Sequence, residues 1–460
     1  MGTALANREN TPHELIRTLR ARGIATAREL CQDLGISQAT FSRAIRDLAN
    51  EILTLGRGRA TRYAIPRLIP GVPREIPIFE VNDQGVAQRT GTLNPLHGGA
   101  FWVERSGRGE VHEGMPFFVA DMRPQGFLGR AFARTHPDLG LPERITDWND
   151  DHVIRALTDR GDDTVGNVII GEGELQRFIA SSAKARQPVP LVNQGQAFDA
   201  LAQAATEGQL AGSSAGGDRP KFTTYAETAH GPAQVLVKFS PPFASDMGQR
   251  WSNLLVCEAI AAEVLNEAGV MAARAGIVMS GQRTHLTVDR FDRIGERGRR
   301  ALISLGAIDD HRFGNRDNYT SAAARFERAG MISSEDAETM RLIHCFGVLI
   351  GNTDMHFGNL SFFPQSEERY QLAPIYDMLP MLYAPVNDQL ASREFPAAQL
   401  PVQAMGSWDR AFGLANIFWG RVAANQHVSL EFKAIVISNQ QKLSEMHKAK
   451  IRAVDMPKRN

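Results

Sequence analysis

Residues 351–359 read Gly-Asn-Thr-Asp-Met-His-Phe-Gly-Asn, and a further aspartate, Asp377, follows eighteen positions after Asn359. An Asp and an Asn five positions apart on a tight loop, with a second Asp beyond them, are the side chains that phosphoryl transfer requires. We expect Asp354 to accept the proton of an attacking hydroxyl group. Asn359 and Asp377 would supply oxygen ligands for Mg²⁺ on the nucleotide phosphates. The glycines near both ends of the segment let the backbone bend sharply, so the segment predicts a phosphotransferase loop.

The sequence motifs around this loop differ from those of ordinary protein kinases. The Asp-to-Asn spacing is the same, but neither His-Arg-Asp nor Asp-Phe-Gly occurs at the expected places. The form Asn-Thr-Asp-x-His-x-x-Asn, followed by Pro-Ile-Tyr-Asp at 374–377, resembles the HipA family of bacterial Ser/Thr kinases. The resemblance implies an α+β multidomain chain with a two-lobed, protein-kinase-type fold, in which the N-lobe is rich in β-strands and the C-lobe is mostly helical. It also implies ATP and Mg²⁺ as cofactors.

Two features near the loop complete this prediction. Residues 360–363 and 370–372 are apolar and flank a polar turn, which predicts a hairpin that carries Asp377 at its far end. His356, two positions after Asp354, has either of two roles: it shapes the loop by hydrogen bonding, or it touches the ATP phosphates.

A second chemical signal is the Ser/Gly segment 212–221, Gly-Ser-Ser-Ala-Gly-Gly-Asp-Arg-Pro-Lys. Small residues in series let backbone N–H groups approach phosphate oxygens, although the string by itself would be read as a flexible linker. In the HipA family, a loop of the shape Ser-x-Ala-Gly-x-x-x-x-Lys covers the nucleotide, and autophosphorylation of its serine silences the kinase. The resemblance implies nucleotide contacts from Ala215, Gly216 and Gly217, and autophosphorylation of either Ser213 or Ser214.

An apolar strand over 234–239 ends with one lysine, Lys238. A lysine so placed reaches the α- and β-phosphates in kinases, whereas a lysine on an edge strand commonly points to solvent. The amphipathic helix predicted over 251–268 carries Glu258, which either pairs with Lys238 or is solvated. In segment 284–293, the resemblance implies that Asp289 and Phe291 supply the backbone groups that bind adenine.

The first 67 residues predict a separate unit. Helices over 11–20, 26–34 and 38–50 precede a hairpin with a basic tip, the pattern of a winged helix-turn-helix. This unit has eleven Arg against six Asp plus Glu, which favours double-stranded DNA over the alternative, a protein-binding helical module. The predicted major-groove residues are Gln38, Thr40, Ser42, Arg43 and Arg46, and the predicted phosphate-binding residues are Arg57, Arg59 and Arg62.

Composition sets the remaining expectations. At 460 residues the chain has room for several domains, predicted as 1–67, a Pro-rich linker at 68–75, a kinase N-lobe at 76–292 and a helical C-lobe at 293–460. Its net charge is zero, which argues against a protein that coats nucleic acid or membranes. Three scattered cysteines, an N-terminus without an apolar core and no long apolar run predict a soluble cytoplasmic protein with reduced thiols.

The fused N-terminal unit resembles the YjjJ-type branch of the HipA family. Because helix-turn-helix proteins usually read paired half-sites, we expect a homodimer. Family members modify translation factors such as aminoacyl-tRNA synthetases, so a protein of that kind is the expected substrate. Two rival functions remain open. One is a DNA-binding transcription regulator whose kinase-like domain only senses nucleotide. The other is a metal-dependent nuclease or phosphohydrolase built on Asp354, His356 and Asp377.

Overall fold

The computed structural model describes residues 2–161, 163–183, 186–209, 217, 219–387, 389–396 and 399–455, with side chains described between residues 11 and 448. The chain divides into two compact units. The first comprises Met1–Arg123, His136–Thr164 and Val168–Lys184, and the second comprises Pro124–Thr135, Val165–Asn167 and Ala185–Asn460. The boundaries predicted from the sequence do not coincide with this division.

The N-terminal part of the first unit contains short helices and strands around a small apolar core. Its elements are α1 (Gly2–Arg22), β1 (Ile24–Thr26), α2 (Ala27–Leu34), α3 (Gln38–Asp47), β2 (Leu53–Leu55) and β3 (Arg62–Ala64). Thr26 and Glu29 form a capping box at the start of α2, and Ser37 caps α3. The prediction that the first helix begins at residue 11 was wrong. It begins at Gly2 and continues through Pro12, whose missing N–H removes one helical hydrogen bond.

The N-terminal part shares a core with the strands that follow it. Leu55 and Ala64 pack in one buried cluster with Leu96, Ala100 and Trp102. The segment predicted as a linker is tied to the same unit, because the Arg155 guanidinium donates to the Pro70 carbonyl at 2.7 Å. The N-terminal elements are therefore packed against the next sheet.

That sheet has five strands in the order β7-β6-β5-β4-β8, and all its pairs are antiparallel. The elements from this sheet to the middle of the chain are β4 (Ile76–Val81), β5 (Ala87–Pro95), β6 (Phe101–Arg105), β7 (Arg108–His112), α4 (Phe117–Ala120), α5 (Gly126–Arg130), α6 (Phe132–Thr135), α7 (Asp150–Arg160), β8 (Val168–Ile170), α8 (Glu172–Ser182) and α9 (Gln194–Thr206).

A four-stranded antiparallel sheet in the order β11-β12-β10-β9 lies in the second unit. It and its neighbours comprise β9 (Lys221–Thr228), β10 (Gly231–Phe239), α10 (Asp246–Glu267), β11 (Ala275–Met279), β12 (Thr284–Asp289), β13 (Arg293–Ile294) and β14 (Gly298–Arg299). The prediction of an amphipathic helix here was wrong, since α10 is buried on nearly every face from Gly248 to Leu265. It contacts both the sheet and a later helix, which removes its solvent face.

The rest of the second unit is mostly helical. Its elements are β15 (Ile303–Ser304), α11 (Leu305–Arg312), α12 (Tyr319–Arg328), α13 (Ser334–Ile350), β16 (Ser361–Pro364), β17 (Tyr370–Leu372), α14 (Trp408–Ala424) and α15 (Leu430–Asp455). The predicted hairpin is confirmed, because β16 and β17 pair with Phe362 opposite Leu372. The apolar run 342–350 is the buried end of α13. Among the described helices, none is long and apolar enough to cross a membrane.

Candidate active site

Lys238 is the centre of the charged cluster in the second unit. It lies one residue before the end of β10 and is 7% exposed. Its Nζ donates to Glu258 Oε1 on α10 at 2.7 Å and to Asp377 Oδ1 at 2.6 Å. The structure therefore brings together a strand lysine, a helix glutamate and the aspartate that follows the β16–β17 hairpin. The pairing alternative for Glu258 holds, and the solvent-facing alternative for Lys238 does not.

The three charges perturb one another. Burial by itself lowers the pKa of Lys238, but the Asp377 and Glu258 carboxylates raise it well above the ordinary range. Burial also acts on Asp377, yet the attraction of Lys238 holds the pKa of that carboxyl below its usual value. The pKa of Glu258 is raised, because burial and the nearby Asp377 charge outweigh Lys238. The cluster therefore places two carboxylates, whose oxygen atoms are ligands that hard cations prefer, beside a buried lysine.

Asp377 has a backbone conformation that few side-chain-bearing residues adopt, with φ of +61°. Such conformations cost energy and are found where the surrounding structure determines them, commonly at functional sites. The preceding Tyr376 fixes the segment by donating its hydroxyl to the Gly358 carbonyl at 2.7 Å. The metal-binding aspartate predicted from sequence is thus held beside the catalytic loop by a direct contact.

The predicted catalytic loop begins just after α13, at the cap residue Gly351, whose φ of +77° turns the chain. Asn352 Oδ1 accepts from the Asp354 N–H at 3.0 Å, and Asn359 Nδ2 donates to the Asp354 carbonyl at 2.9 Å. These two bonds close the loop on itself, so the five-residue spacing has a structural reason. The Asp354 side chain is exposed, as a proton acceptor for a substrate hydroxyl must be, and Asn359 is buried.

His356 takes part in the structure of the loop. Its Nδ1 accepts from the Gly358 N–H at 3.0 Å, and its carbonyl accepts from the Tyr319 hydroxyl at 2.9 Å. Burial raises the pKa of Tyr319 well above its ordinary value, with the charges of Asp377 and Asp354 acting in the same direction. The loop-shaping role of His356 is therefore visible, and its contact with phosphates stays a prediction.

A pocket opens beside the charged cluster. Its walls are largely apolar and include the Glu258 and Asp377 carboxylates. The lining residues are Glu258, Ala262, Leu265, Ala273, Ala275, Val288, Ile375, Tyr376, Asp377 and Met378.

The two residues predicted to bind adenine lie at the end of β12 and just beyond it. The backbone N–H of Asp289 donates to the Arg274 carbonyl at 2.8 Å, so an adenine contact from Asp289 would use its carbonyl. The Phe291 ring lies 5.7 Å from the ring of Tyr376, which lines the pocket. Next to it, the buried Asp292 accepts from the Gly166 N–H at 3.0 Å and from Arg293 at 2.7 Å. Asp292 therefore anchors the turn of this segment.

The Ser/Gly segment is described only in part. Ser213, Ser214, Ala215 and Gly216 lie outside the described residues, and their predicted roles stay predictions. Gly217 is described and has a φ of +87°. Lys221 begins β9 directly opposite Lys238 and is 4% exposed, so a second buried ammonium lies next to the first.

The residues predicted to bind DNA lie on α3 and around the β2–β3 hairpin. The side chains of Gln38, Ser42, Arg43, Arg46, Arg57, Arg59 and Arg62 are exposed. Thr40 differs from them, because its hydroxyl hydrogen bonds with Ser37 at 3.0 Å and is half-buried. It belongs to the cap of α3, which makes it a weaker candidate for contact with a base.

Sequence reasoning left Glu258, Lys221 and Tyr319 out of the predicted site. Glu258 had a signal, since it lies on the first helix after the lysine strand, where kinases place a partner glutamate. Lys221 also had a sequence signal, because it is the lysine that ends the Ser/Gly segment. Tyr319 had none, because it is 37 positions from the loop residue that it contacts.

The oxygen atoms at this site fit Mg²⁺ held jointly with phosphates. Because the Asn359 amide nitrogen donates to the Asp354 carbonyl, its amide oxygen is left as an acceptor, and Asp377 supplies a carboxylate. Among the described residues, no group of three His, Cys, Asp or Glu side chains is arranged to hold a metal ion without such help. Mg²⁺ commonly binds through one or two protein ligands together with substrate phosphates.

Comparison with known proteins gives two domain matches and one extensive relative. Residues 72–179 match the YjjJ-like toxin middle domain, and residues 213–444 match the HipA-like C-terminal domain. The toxin YjjJ of Escherichia coli (strain K12) is 36% identical over 433 residues, which cover 93% of this chain and 97% of that protein.

Two solved structures are similar at low identity. A structure of the Shewanella oneidensis MR-1 toxin–antitoxin system, HipA, HipB and operator DNA, gives a TM-score of 0.47 at 17% identity over 80% of this chain and 96% of that one. The Helicobacter pylori proinflammatory kinase CtkA gives 0.36 at 14% identity over 52% and 93%. Both TM-scores lie below 0.5, so the assignment depends on the sequence matches. The extent and identity of those matches show that the chain belongs to the HipA-like toxin family.

Proposed function

We propose that the chain is an ATP- and Mg²⁺-dependent Ser/Thr protein kinase of the HipA type. The observation that carries the proposal is the cluster in which Lys238 Nζ contacts both Glu258 and Asp377, each within 2.7 Å. These residues come from a strand, a helix and a loop. Such a convergence of a phosphate-binding lysine, its glutamate partner and a metal-binding aspartate is what kinase chemistry uses.

Each residue has a defined task in the proposed reaction. Asp354 accepts the proton of the Ser or Thr hydroxyl that attacks the γ-phosphate. Lys238 holds the phosphates, and Glu258 orients Lys238. Asp377 and Asn359 would hold Mg²⁺, which offsets the negative charge on the phosphates when it is bound. By the family resemblance, backbone groups of Asp289 and Phe291 would bind the adenine ring.

The first unit adds a proposed DNA-binding function through an N-terminal winged helix-turn-helix. Exposed arginines on α3 and around the β2–β3 hairpin support it, together with the eleven Arg against six acidic residues in 1–67. A homodimer would present two such surfaces to paired half-sites. A dimer mass from size-exclusion chromatography with light scattering would support this, and a strict monomer with and without DNA would contradict it.

Phosphopeptide mass spectrometry before and after addition of Mg-ATP tests the kinase. We expect new phosphate on Ser213 or Ser214 in the wild type and none in Asp354→Ala. Asp83→Ala is the control, since Asp83 is another exposed aspartate, in the turn between β4 and β5. ATP binding without any phosphate transfer would instead support a regulator that senses nucleotide.

A further inference from the structure

The segment at the start of α5 makes a close backbone contact with Gly217. The N–H of Phe127 donates to the Gly217 carbonyl at 3.0 Å. Gly126 has a φ of +62°, and a side-chain carbon at Gly126 would overlap the Gly217 peptide group. Only glycine allows the two backbones to approach this closely.

Gly217 also lies close to Lys221. The Lys221 Nζ lies 3.0 Å from the point that a side-chain carbon on Gly217 would occupy. Lys221 is buried opposite Lys238, and the charges of both lysines act on the Glu258 and Asp377 carboxylates. A displacement of the Gly217 peptide would therefore change the space available to the Lys221 ammonium, which lies next to Lys238.

We propose that Gly126 and Phe127 are positioning residues for nucleotide binding, an inference that rests on the proposed kinase function. They hold the Gly217 peptide in place, and this peptide in turn confines the Lys221 ammonium beside Lys238. Neither residue would touch the nucleotide. Their effect appears in nucleotide affinity, because the lysines contribute binding only where their ammonium groups meet the phosphates.

By sequence, the segment that contacts Gly217 belongs to the middle domain. Gly126 and Phe127 lie within the match to the YjjJ-like middle domain, 72–179. Residues Pro124–Thr135 nevertheless pack in the second unit, while the chain on either side of them belongs to the first unit. A segment of the middle domain, Pro124–Thr135, thus packs beside the proposed site of the HipA-like domain.

A pair of glycine substitutions separates positioning from simple strain. Gly126→Ala and Gly140→Ala both place alanine where φ is near +60°, but Gly140 has open space where the new carbon would be. Both variants should lose some thermal stability, because the left-handed conformation disfavours alanine. Affinity for Mg-AMP-PNP, measured by isothermal titration calorimetry, should fall at least about tenfold in Gly126→Ala only, equivalent to about 1.4 kcal/mol.

Hydrogen–deuterium exchange of the wild type gives a second measurement that needs no variant. We expect Mg-AMP-PNP to slow exchange in peptides that cover residues 125–130, because nucleotide binding holds the Gly217 peptide against the Phe127 N–H. Peptides that cover Gly140 should not change.

Equal affinities in the two glycine variants, or unchanged exchange at 125–130 with saturating nucleotide, would overturn the positioning role while the kinase proposal stands. If Gly126→Ala fails to fold, the exchange measurement alone decides. A wild-type protein that binds no Mg-AMP-PNP overturns the proposed function and this inference together.

Discussion

The Lys238 cluster and the arginines around the β2–β3 hairpin hold the same kind of charge in opposite surroundings. Lys238 is 7% exposed and contacts two carboxylates, whereas Arg57 and Arg59 are exposed to solvent. A buried charge must be compensated within the protein, because burial removes much of its contact with water. An exposed charge is solvated and weakly coupled to the fold, so it is available to a partner. Substitutions in the two regions should therefore differ in kind.

The largest effect is expected from Lys238→Met. It removes the ammonium that contacts both the Glu258 and Asp377 carboxylates and leaves Lys221 as the nearby cation, which should lower the free energy of unfolding by about 3–5 kcal/mol and abolish phosphate transfer. Lys442→Met is the control, since Lys442 lies 3.8 Å from an exposed glutamate, and it should cost less than about 0.5 kcal/mol. Denaturant unfolding measures both. Adding Glu258→Gln to Lys238→Met should restore part of the loss, and equal losses in the two lysine variants would contradict the comparison.

Asp292 provides a second buried charge, with a predicted pH dependence. Burial alone would raise the pKa of Asp292, but Arg290 and Arg293 hold it far below its ordinary value of 3.8. Because the folded protein binds this proton less readily than the unfolded chain, Asp292 stabilises the fold above that value. The stabilisation is lost as the pH falls towards the lower, folded-state pKa.

The direction of this pH dependence gives a prediction for Asp292→Asn. Its melting temperature should be lower than that of the wild type at neutral pH, and the difference should narrow between about pH 4 and about pH 2. Asp310→Asn is the control, because Asp310 pairs with Arg316 at the surface. Thermal melts across this pH range measure both variants. A constant gap between wild type and Asp292→Asn would show that the carboxylate charge is not responsible.

An intermediate effect is expected where a buried group is neutral. Tyr319→Phe removes the hydroxyl that donates to the His356 carbonyl in the catalytic loop. The free energy of unfolding should fall by about 1 kcal/mol. The kcat should fall while the KM for ATP changes little, because the catalytic loop shifts and the lysines stay in place. Tyr370→Phe is the control, since that buried hydroxyl makes a longer contact, 3.5 Å from the Glu367 carbonyl. Identical kinetics in the two variants would argue against a positioning role for Tyr319.

The smallest effect on stability is expected at the exposed arginines. Arg57→Gln and Arg59→Gln should leave the melting temperature unchanged, because neither guanidinium is buried. Each should weaken binding to a mixed-sequence DNA duplex and reduce the slope of log affinity against log salt by about 0.9. Fluorescence anisotropy at several salt concentrations measures this, with exposed Arg17→Gln on α1 as the control. An unchanged salt slope would remove these arginines from the proposed DNA surface.

Sequence reasoning was most successful where a pattern spans few residues. The hairpin at 361–372 was predicted from apolar runs and a polar turn, and the start of α3 was predicted at residue 38, where the structure has it. It was less successful for α10, predicted to be amphipathic but buried on nearly all faces. The periodicity of a helix reports the average environment of its faces. It does not show that a sheet and another helix will cover the remaining face.

The sequence by itself determined which side chains were available for phosphate chemistry. The five-residue spacing of Asp354 and Asn359 is a local property, since two hydrogen bonds within the loop close it. Only the tertiary structure decided that Lys238 meets Asp377, which is 139 positions away, and that Gly126 supports Gly217. Contacts of that separation have no local signal. They form when the packing of many residues outweighs the entropy lost in closing a long loop.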